Sequence, residues 1–306
     1  MAKVITNTQY TYPNAASSEA QDSRVSDFFA LLKPRVMSLV VFTGFAGMWI
    51  APGASEMHPA LMVIAMLCLA VNAGAAGAIN MWFDRDIDAV MNRTRGRPIP
   101  MGRVDADEAL SFGIVLSFFS VMIMGMALNW MAAGILAFAN AFYVLIYTMW
   151  LKRSTPQNIV IGGAAGAFPP MVGWAAVTGD VALPSIVLFL IIFLWTPPHF
   201  WALSLYANQD YKRAKIPMMT VVAGERATKI QMLVYTLILL PVTLAPYLFG
   251  YAGLVYGIGA SILSGFFVVT AIKVLNSSDM KFARAMFGYS VFYLFALFLL
   301  VMIDAA

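Results

Sequence analysis

The sequence predicts an all-α polytopic membrane protein with nine transmembrane helices, and three observations support this class. The 306 residues are 61% hydrophobic and only 11% charged, and the mean hydropathy of +0.79 lies outside the range of water-soluble domains. The apolar residues form nine runs that are long enough to cross a bilayer. All 19 Lys and Arg residues either precede the first run or follow an even-numbered run.

The nine predicted spans are joined mostly by short connections, so neighbouring helices should run antiparallel. They lie at about residues 36–52, 58–82, 108–128, 130–150, 158–177, 185–206, 230–249, 253–273 and 285–303. Because loops rich in Lys and Arg stay in the cytoplasm, the N-terminus and every loop from an even to an odd span are predicted to be cytoplasmic. A wrong number of spans would have scattered the basic residues over both sides.

Two parts of the chain are distinguished by composition. Residues 1–30 are polar and contain three acidic side chains, so they are predicted to be a disordered cytoplasmic tail without a cleavable signal. Residues 31–306 form the predicted membrane domain. The net charge of +4 follows from the membrane topology and does not indicate nucleic-acid binding. Cys68 is the only cysteine, which excludes intrachain disulfides and multi-cysteine metal sites.

An acidic stripe ends the second span. Asn80, Asp84 and Asp88 are spaced four residues apart and therefore share one helix face, whereas Asp86 points away. Hard oxygen donors of this kind suit Mg²⁺ that carries a phosphate group. Carboxylates at a helix C-terminus oppose the helix dipole, so a bound cation explains them better than a structural role. We therefore predict that Asn80, Asp84 and Asp88 are metal ligands.

A second acidic segment follows the sixth span and is related to the first by an internal repeat. At a constant offset of 117, Ile99, Pro100, Met101, Val104 and Glu108 recur as Ile216, Pro217, Met218, Val221 and Glu225. This similarity favours duplication of a four-helix unit, with one additional helix and with parallel repeats. Asp210 precedes the second copy and is predicted to be a further metal ligand. The alternative is a solvated loop charge that pairs with Lys212 or Arg213.

Basic residues cluster close to the acidic stripe. Arginine forks and lysine ammonium groups bind phosphate oxygens, although they also anchor proteins to anionic lipid. We assign Arg95 and Arg103 to lipid anchoring. The predicted diphosphate-binding residues are Arg93, Arg97, Lys152, Arg153 and Lys212.

Within the sixth predicted span, the sequence Trp-Thr-Pro-Pro-His-Phe-Trp covers residues 195–201. Two consecutive prolines are expected to break the helix, because each removes a backbone donor. His199 next to this break either bonds to a freed backbone carbonyl or contacts a ligand, and the sequence leaves both possibilities open. The small residues at 162–167 in the fifth span predict close helix packing.

Five motifs together carry a family resemblance. They are N-x-x-x-D-x-x-x-D at 80–88, N-R-T-x-x-R-P-x-P at 92–100, Y-T-x-x-L-K-R-x-T-P-x-N-I-V-I-G-G at 147–163, P-H-F-W at 198–201 and D-Y-x-x-A-x-I-P-M at 210–218. In these motifs the chain resembles the intramembrane prenyltransferases of the UbiA type. The last two motifs are similar to the branch of that family that modifies heme.

The resemblance implies a horseshoe-like bundle around a central cavity, whose mouth opens to the cytoplasm at a bacterial cytoplasmic membrane. Farnesyl diphosphate would bind there through Mg²⁺, and its farnesyl group would be transferred to a vinyl group of heme B, giving heme O. Tyr147 would stabilise the allylic cation and His199 would contact heme. Membrane lipid and a downstream heme-modifying membrane enzyme are the other implied partners. One departure is that Tyr206 and Ala214 replace the second carboxylate that relatives have four residues from the position of Asp210.

Three other functions are compatible with parts of the sequence. A related prenyltransferase could act on an aromatic or quinone precursor, and heme binding would distinguish it. A membrane transporter would share the repeats and the intramembrane prolines but would leave the two acidic segments unexplained. A heme-binding assembly factor would account for His199 but would give the acidic stripe no role.

Overall fold

The computed structural model describes residues 25–305, and their secondary structure is almost entirely helical, which confirms the predicted class. Eight helices are long and apolar enough to cross a membrane. Two further helices, Val25–Leu31 and Pro34–Trp49, meet the same test together and are bent by 52° relative to each other. If this bent pair is counted as span 1, the described residues are compatible with the nine predicted spans.

The remaining spans closely follow the predicted ones. Spans 2 to 9 are Pro59–Phe83, Ala106–Ala127, Trp130–Ser154, Asn158–Thr178, Leu183–Tyr206, Gly224–Leu248, Leu254–Leu275 and Met280–Ile303. Shorter helices occupy the connections at Ala54–Glu56, Arg85–Val90, Asn208–Arg213 and Met219–Val222. Large apolar side chains on the outer surface, such as Phe118, Trp150 and Leu237, remain exposed. An apolar exterior over helices of this length identifies an integral membrane protein.

The start of the chain differs from the prediction of a disordered tail over 1–30. Residues 1–24 lie outside the described part, so that portion of the prediction is untested. Residues 25 to 30, however, belong to the helix Val25–Leu31. An ion pair between Asp27 Oδ1 and Arg103 Nε at 2.8 Å ties this helix to the loop before span 3. Arg103, predicted to be a lipid anchor, therefore has a partner within the protein.

The prediction that two prolines break span 6 is wrong. The helix Leu183–Tyr206 continues through Pro197 and Pro198, and both prolines are buried. Neighbouring helices pack around the proline step, and such packing allows transmembrane helices to tolerate proline. The Thr196 hydroxyl also donates a 2.8 Å hydrogen bond to the carbonyl of Ile192 on the preceding turn.

The interrupted helix is span 5, which contains the small residues. It consists of the segments Asn158–Gly162, Ala164–Ala167 and Pro169–Thr178. A Cβ atom at Gly162 would overlap the Tyr147 ring of span 4, and one at Gly163 would lie 2.8 Å from Thr196 Cγ2 of span 6. These two glycines let span 5 approach both neighbours, as predicted for close helix packing.

Span 4 has an unusual winding that the sequence did not indicate. Its residues Phe142–Leu151 form a π-helix, and the backbone N–H of Lys152 bonds to the carbonyl of Tyr147, five residues earlier. A π-helix is rare and frequently marks a functional site. The wider turn determines which side chains of this segment face span 2, among them Thr148.

The predicted repeat has a counterpart in the backbone. Span 2 is followed by the capping residue Asp84 (φ −89°, ψ 9°) and span 6 by the capping residue Ala207 (φ −99°, ψ 13°), and both lie outside helical geometry. Each is followed by a helix of six residues, Arg85–Val90 in the first case and Asn208–Arg213 in the second. Spans 3 and 7 follow the two loops. The same arrangement of elements at both places supports a duplication.

Candidate functional site

The acidic stripe continues past the end of span 2. The backbone N–H of Asp84 bonds to the carbonyl of Asn80 at 2.9 Å, and the N–H of Asp88 bonds to the carbonyl of Asp84 at 2.8 Å. This continuous ladder keeps the three residues on one face although the helix is interrupted between them. Asp84 and Asp88 are only 0% and 2% exposed. The Asp86 side chain is 56% exposed and points away, as predicted.

Cationic side chains from two other segments reach the buried carboxylates. Lys152, at the end of span 4, forms an ion pair with Asp84. Arg97 Nη1 lies 2.5 Å from Asp88 Oδ2. An ionised carboxylate that is this deeply buried requires such a partner, because its desolvation is costly. Lys152 and Arg97, both predicted to bind diphosphate, are therefore next to the stripe.

Arg153 links the buried and exposed carboxylates. Its guanidinium binds both oxygens of Asp86 at 2.7 and 2.8 Å and approaches Asp84 Oδ1 at 3.3 Å. Burial raises the pKa of Asp86, but hydrogen bonds from Arg153 and from the backbone more than offset this, and the pKa is lowered overall. Asp86 therefore holds Arg153 beside the stripe from outside.

Asn80 makes three hydrogen bonds that orient the stripe. Its amide NH₂ donates to Asp84 Oδ2 at 2.7 Å and to Thr148 Oγ1 at 3.2 Å. Its amide oxygen accepts a 2.9 Å hydrogen bond from Lys33 Nζ. In the sequence, Lys33 is a basic residue that indicates topology, and no pattern links it to Asn80. Lys33 itself has a left-handed backbone, with φ of 52°, at the bend before Pro34.

The second acidic segment is arranged differently. Asp210 forms an ion pair with Arg213, one of the two loop partners considered for it. Lys212 is exposed and has no ion pair within residues 25–305. Over the same residues, no three His, Cys, Asp or Glu side chains are close enough together to hold a metal ion. The structure thus brings Asp84 and Asp88 onto one face but does not gather Asp210 with them.

Apolar and aromatic contacts nevertheless join the two segments. Ile87 from the first segment belongs to the same buried cluster as Tyr211 and Ile216 from the second, and Tyr147 packs against that cluster. Burial raises the pKa of the Tyr211 hydroxyl, whereas the nearby Arg93 guanidinium lowers it in part. Arg93 therefore reaches towards the second segment, although its predicted companion Arg97 binds the first.

His199 belongs to span 6 and contacts span 9. Its Nδ1 atom is 2.6 Å from the hydroxyl of Ser290, so of the two possibilities left open for His199, a bond to a freed backbone carbonyl is not the one observed. The ring stacks on Trp195 at 4.2 Å and on Phe287 at 4.6 Å between centroids. The side chain is 8% exposed.

The side chains of the stripe fit a hard divalent cation. Asp84 and Asp88 supply carboxylate oxygens on one face, and an Asn80 amide lies beside them. Oxygen donors without sulfur or imidazole favour Mg²⁺ over zinc or copper. The adjoining Lys and Arg groups add donors suited to phosphate oxygens. Together these groups are equipped to bind a metal–diphosphate ligand.

Comparisons with known proteins agree with this chemistry. The model of the UbiA prenyltransferase family matches residues 40–300. The chain belongs to this family. It is 60% identical over 288 residues to a protein named protoheme IX farnesyltransferase from Agrobacterium fabrum. The aligned residues cover 93% of this chain and 90% of that protein. A protein of the same name from Rhodopseudomonas palustris is 56% identical over 94% and 93% of the two chains.

Solved structures show the same UbiA fold at much lower identity. A digeranylgeranylglyceryl phosphate synthase is 17% identical and superposes with a TM-score of 0.76, covering 92% of this chain and 98% of the other. A UbiA homologue from Archaeoglobus fulgidus, solved with GPP and Mg²⁺, is 16% identical with a TM-score of 0.63 over 90% and 99% of the two chains. At these identities the likeness establishes the fold alone.

Proposed function

We propose that this UbiA-family prenyltransferase transfers the farnesyl group of farnesyl diphosphate to a vinyl group of heme B, giving heme O. The observation that carries this proposal is the 55 to 60% identity, over at least nine-tenths of both chains, to several proteins named protoheme IX farnesyltransferase. Three of the motifs that produced the resemblance lie at the acidic segments and at the histidine described above.

The diphosphate is proposed to bind at the stripe together with Mg²⁺. Asp84 and Asp88 would hold the metal, with Asn80 beside them. The ion pairs Asp84–Lys152 and Asp88–Arg97 support this role, because each carboxylate already has a cation at its oxygen. With a metal held by the carboxylates, the Lys152 ammonium and the Arg97 guanidinium would be free to donate hydrogen bonds to phosphate oxygens. The Archaeoglobus fulgidus homologue was solved with a prenyl diphosphate and Mg²⁺.

The remaining basic residues are proposed to complete the anion site. Arg153 is held beside Asp84 by Asp86, so it is positioned to add a second guanidinium. Arg93 and Lys212 would approach from the side of the second segment. A concentration of cations around two carboxylates leaves the site with excess positive charge, which favours a multiply charged anion such as diphosphate.

The reaction begins with cleavage of the C1–O bond of farnesyl diphosphate. Asp84 and Asp88 would hold Mg²⁺, which would neutralise the charge that develops on the diphosphate leaving group. Lys152 and Arg97 would donate hydrogen bonds to the same oxygens, and the π face of Tyr147 would stabilise the allylic cation. The vinyl group of heme B then forms the new C–C bond. Water adds its hydroxyl group to the resulting cation and releases a proton. His199 is the proposed contact with heme.

The proposed membrane orientation places this chemistry at the cytoplasmic face of a bacterial cytoplasmic membrane. The distribution of Lys and Arg over the loops supports that orientation. Both substrates carry long or large apolar parts, so membrane lipid surrounds the site. The product, a heme with a farnesyl chain, would be passed to a further heme-modifying membrane enzyme.

A direct test is to incubate the purified protein with heme B, farnesyl diphosphate and Mg²⁺ and to look for heme O by mass spectrometry. Product should form only when all three are present, and a chelator of divalent metal should stop it. Parallel reactions should contain 4-hydroxybenzoate in place of heme. A prenylated aromatic product without any heme product would instead establish the alternative acceptor class.

A further inference from the structure

A line of aromatic rings runs along the contact between spans 6 and 9. Arg284 lies over the ring of Tyr206, with 5.5 Å between Cζ and the centroid. Tyr206 meets the Phe287 ring edge to face at 6.1 Å. Phe287 stacks on His199, which stacks on Trp195 in turn. The line therefore leads from an exposed guanidinium to a buried imidazole.

The hydrogen bonds of Ser290 favour one tautomer of His199. The Ser290 hydroxyl lies 2.7 Å from the carbonyl of Phe287, to which it can only donate. With its single proton there, the hydroxyl oxygen accepts in the 2.6 Å contact with His199 Nδ1, and Nδ1 carries the proton. The other nitrogen, Nε2, consequently has a free lone pair. Within residues 25–305 no hydrogen-bond donor reaches it.

The stacking rings hold this lone pair in a fixed direction. Trp195 and Phe287 lie at 18° and 22° to the imidazole plane, so they cover its two faces. A metal bonds to an imidazole nitrogen in the plane of the ring, and the covered faces do not obstruct that approach. A histidine whose second nitrogen donates to a fixed oxygen is the usual arrangement for a metal ligand.

Arg284 supplies an anion-binding group at the other end of the line. It precedes Ser290 by six residues, or about 9 Å along the helix axis. It is exposed, and no carboxylate within residues 25–305 forms an ion pair with it. The guanidinium fork matches a carboxylate. A flat ligand with a metal at its centre and carboxylates at one edge has the two features that His199 and Arg284 recognise.

We propose that heme B binds along spans 6 and 9, with its iron ligated by His199 Nε2 and a propionate bound by Arg284. This inference rests on the proposed function, because that function makes heme the acceptor. Ser290 is a positioning residue that keeps Nε2 free of a proton. Because the propionates and the vinyl groups lie on different edges of the macrocycle, binding a propionate at Arg284 also fixes the direction of the vinyl edge.

The role of Ser290 is tested by heme binding to the full-length protein in detergent. Ser290→Ala should weaken the binding of heme B about tenfold and shift its absorption spectrum, since groups that hydrogen-bond to metal ligands have effects of this size. Ser290→Thr, which keeps the hydroxyl, should bind nearly normally. Ser185→Ala is the control, because that serine is equally buried but bonds only to its own helix at Ala182. Farnesyl diphosphate binding should be unchanged in all three variants.

The role of Arg284 is tested with two ligands, heme B and its dimethyl ester, which lacks free carboxylates. Arg284→Gln should weaken heme B about fivefold, the scale of an exposed ion pair, and should leave the ester unaffected. Lys281→Gln, an exposed basic residue one turn earlier, should change neither. Equal losses for both ligands, or no loss, would overturn the propionate contact.

The outcomes separate the inference from the proposed function. If the unaltered protein neither binds nor prenylates heme, the proposed function itself fails. If it does both, and the Ser290→Ala and Arg284→Gln variants retain the normal spectrum and affinity, only the inferred heme orientation is overturned. His199→Ala checks the ligand directly, because it should remove the iron-dependent spectral change while leaving diphosphate binding intact.

Discussion

Replacing Asp84 by Asn should destabilise the protein and abolish its activity for one electrostatic reason. The substitution retains the shape of the side chain but removes the charge that neutralises Lys152, whose side chain is only 16% exposed. Removing one partner of a buried ion pair costs about 3–5 kcal/mol, because the other charge stays buried without compensation. Lys152 retains some access to water, so we expect about 3 kcal/mol, the lower end of that range.

A double-mutant cycle isolates this interaction. Lys152→Met alone should also destabilise the protein, since it leaves Asp84 charged and fully buried. The double variant should be more stable than the sum of the single losses by about 1–3 kcal/mol, the coupling typical of residues in contact. Chemical unfolding in detergent, followed by tryptophan fluorescence, measures these free energies. None of the three variants should form heme O.

The exposed pair Asp279–Lys281 provides the matched control. The same cycle there should show no measurable coupling, because both groups are solvated. If the losses in the free energy of unfolding caused by Asp84→Asn and Lys152→Met simply add in the double variant, the two residues are not coupled and the reasoning is refuted. The carboxylate would then be tolerated in the fold without its ammonium partner.

Four further predictions concern the same site. Asp88→Asn should abolish heme O formation, because this carboxylate is buried in the stripe, whereas Asp86→Asn should lower it only mildly, because that carboxylate is exposed. Equal losses of activity would contradict the helical-face argument. Arg97→Ala should raise the KM for farnesyl diphosphate in steady-state kinetics, whereas an unchanged KM would reassign Arg97 to heme or to lipid. Gly162→Ala should destabilise the protein by about 1–3 kcal/mol and reduce kcat, because its Cβ overlaps an aromatic ring of span 4. Gly166→Ala, where a Cβ meets nothing within 4 Å, is its control in the same assays. Stripping divalent metal should eliminate turnover and Mg²⁺ should restore it.

The spans and the acidic stripe could be predicted because they depend on local sequence. Transmembrane length and the placement of basic residues give the spans without any knowledge of packing. The spacing of Asn80, Asp84 and Asp88 predicted a shared face, and the prediction is correct because the backbone ladder continues past Asp84. The burial of Asp84 and the exposure of Asp86 follow from the same periodicity.

Other features depend on tertiary contacts that a single sequence does not reveal. The bond between Lys33 and Asn80 joins residues 47 positions apart, so no local pattern indicates it. Pro197 and Pro198 were expected to break span 6, but neighbouring helices keep it continuous. The π-helical winding of span 4 leaves no simple periodic signal, although it determines how Thr148 meets the stripe. The partner of Arg93 likewise lies in a distant segment.

The internal ion pairs of the stripe have a consequence for the order in which ligands bind. Free Mg²⁺ would have to displace Lys152 and Arg97 from Asp84 and Asp88 without offering those cations a new partner. Free diphosphate would have to take Lys152 and Arg97 from Asp84 and Asp88 without offering those carboxylates a new cation. A complex of Mg²⁺ with diphosphate satisfies both sets of charges in a single exchange. If the stripe binds the ligand as proposed, the ion pairs should make the protein prefer the preassembled complex over free Mg²⁺ or free diphosphate.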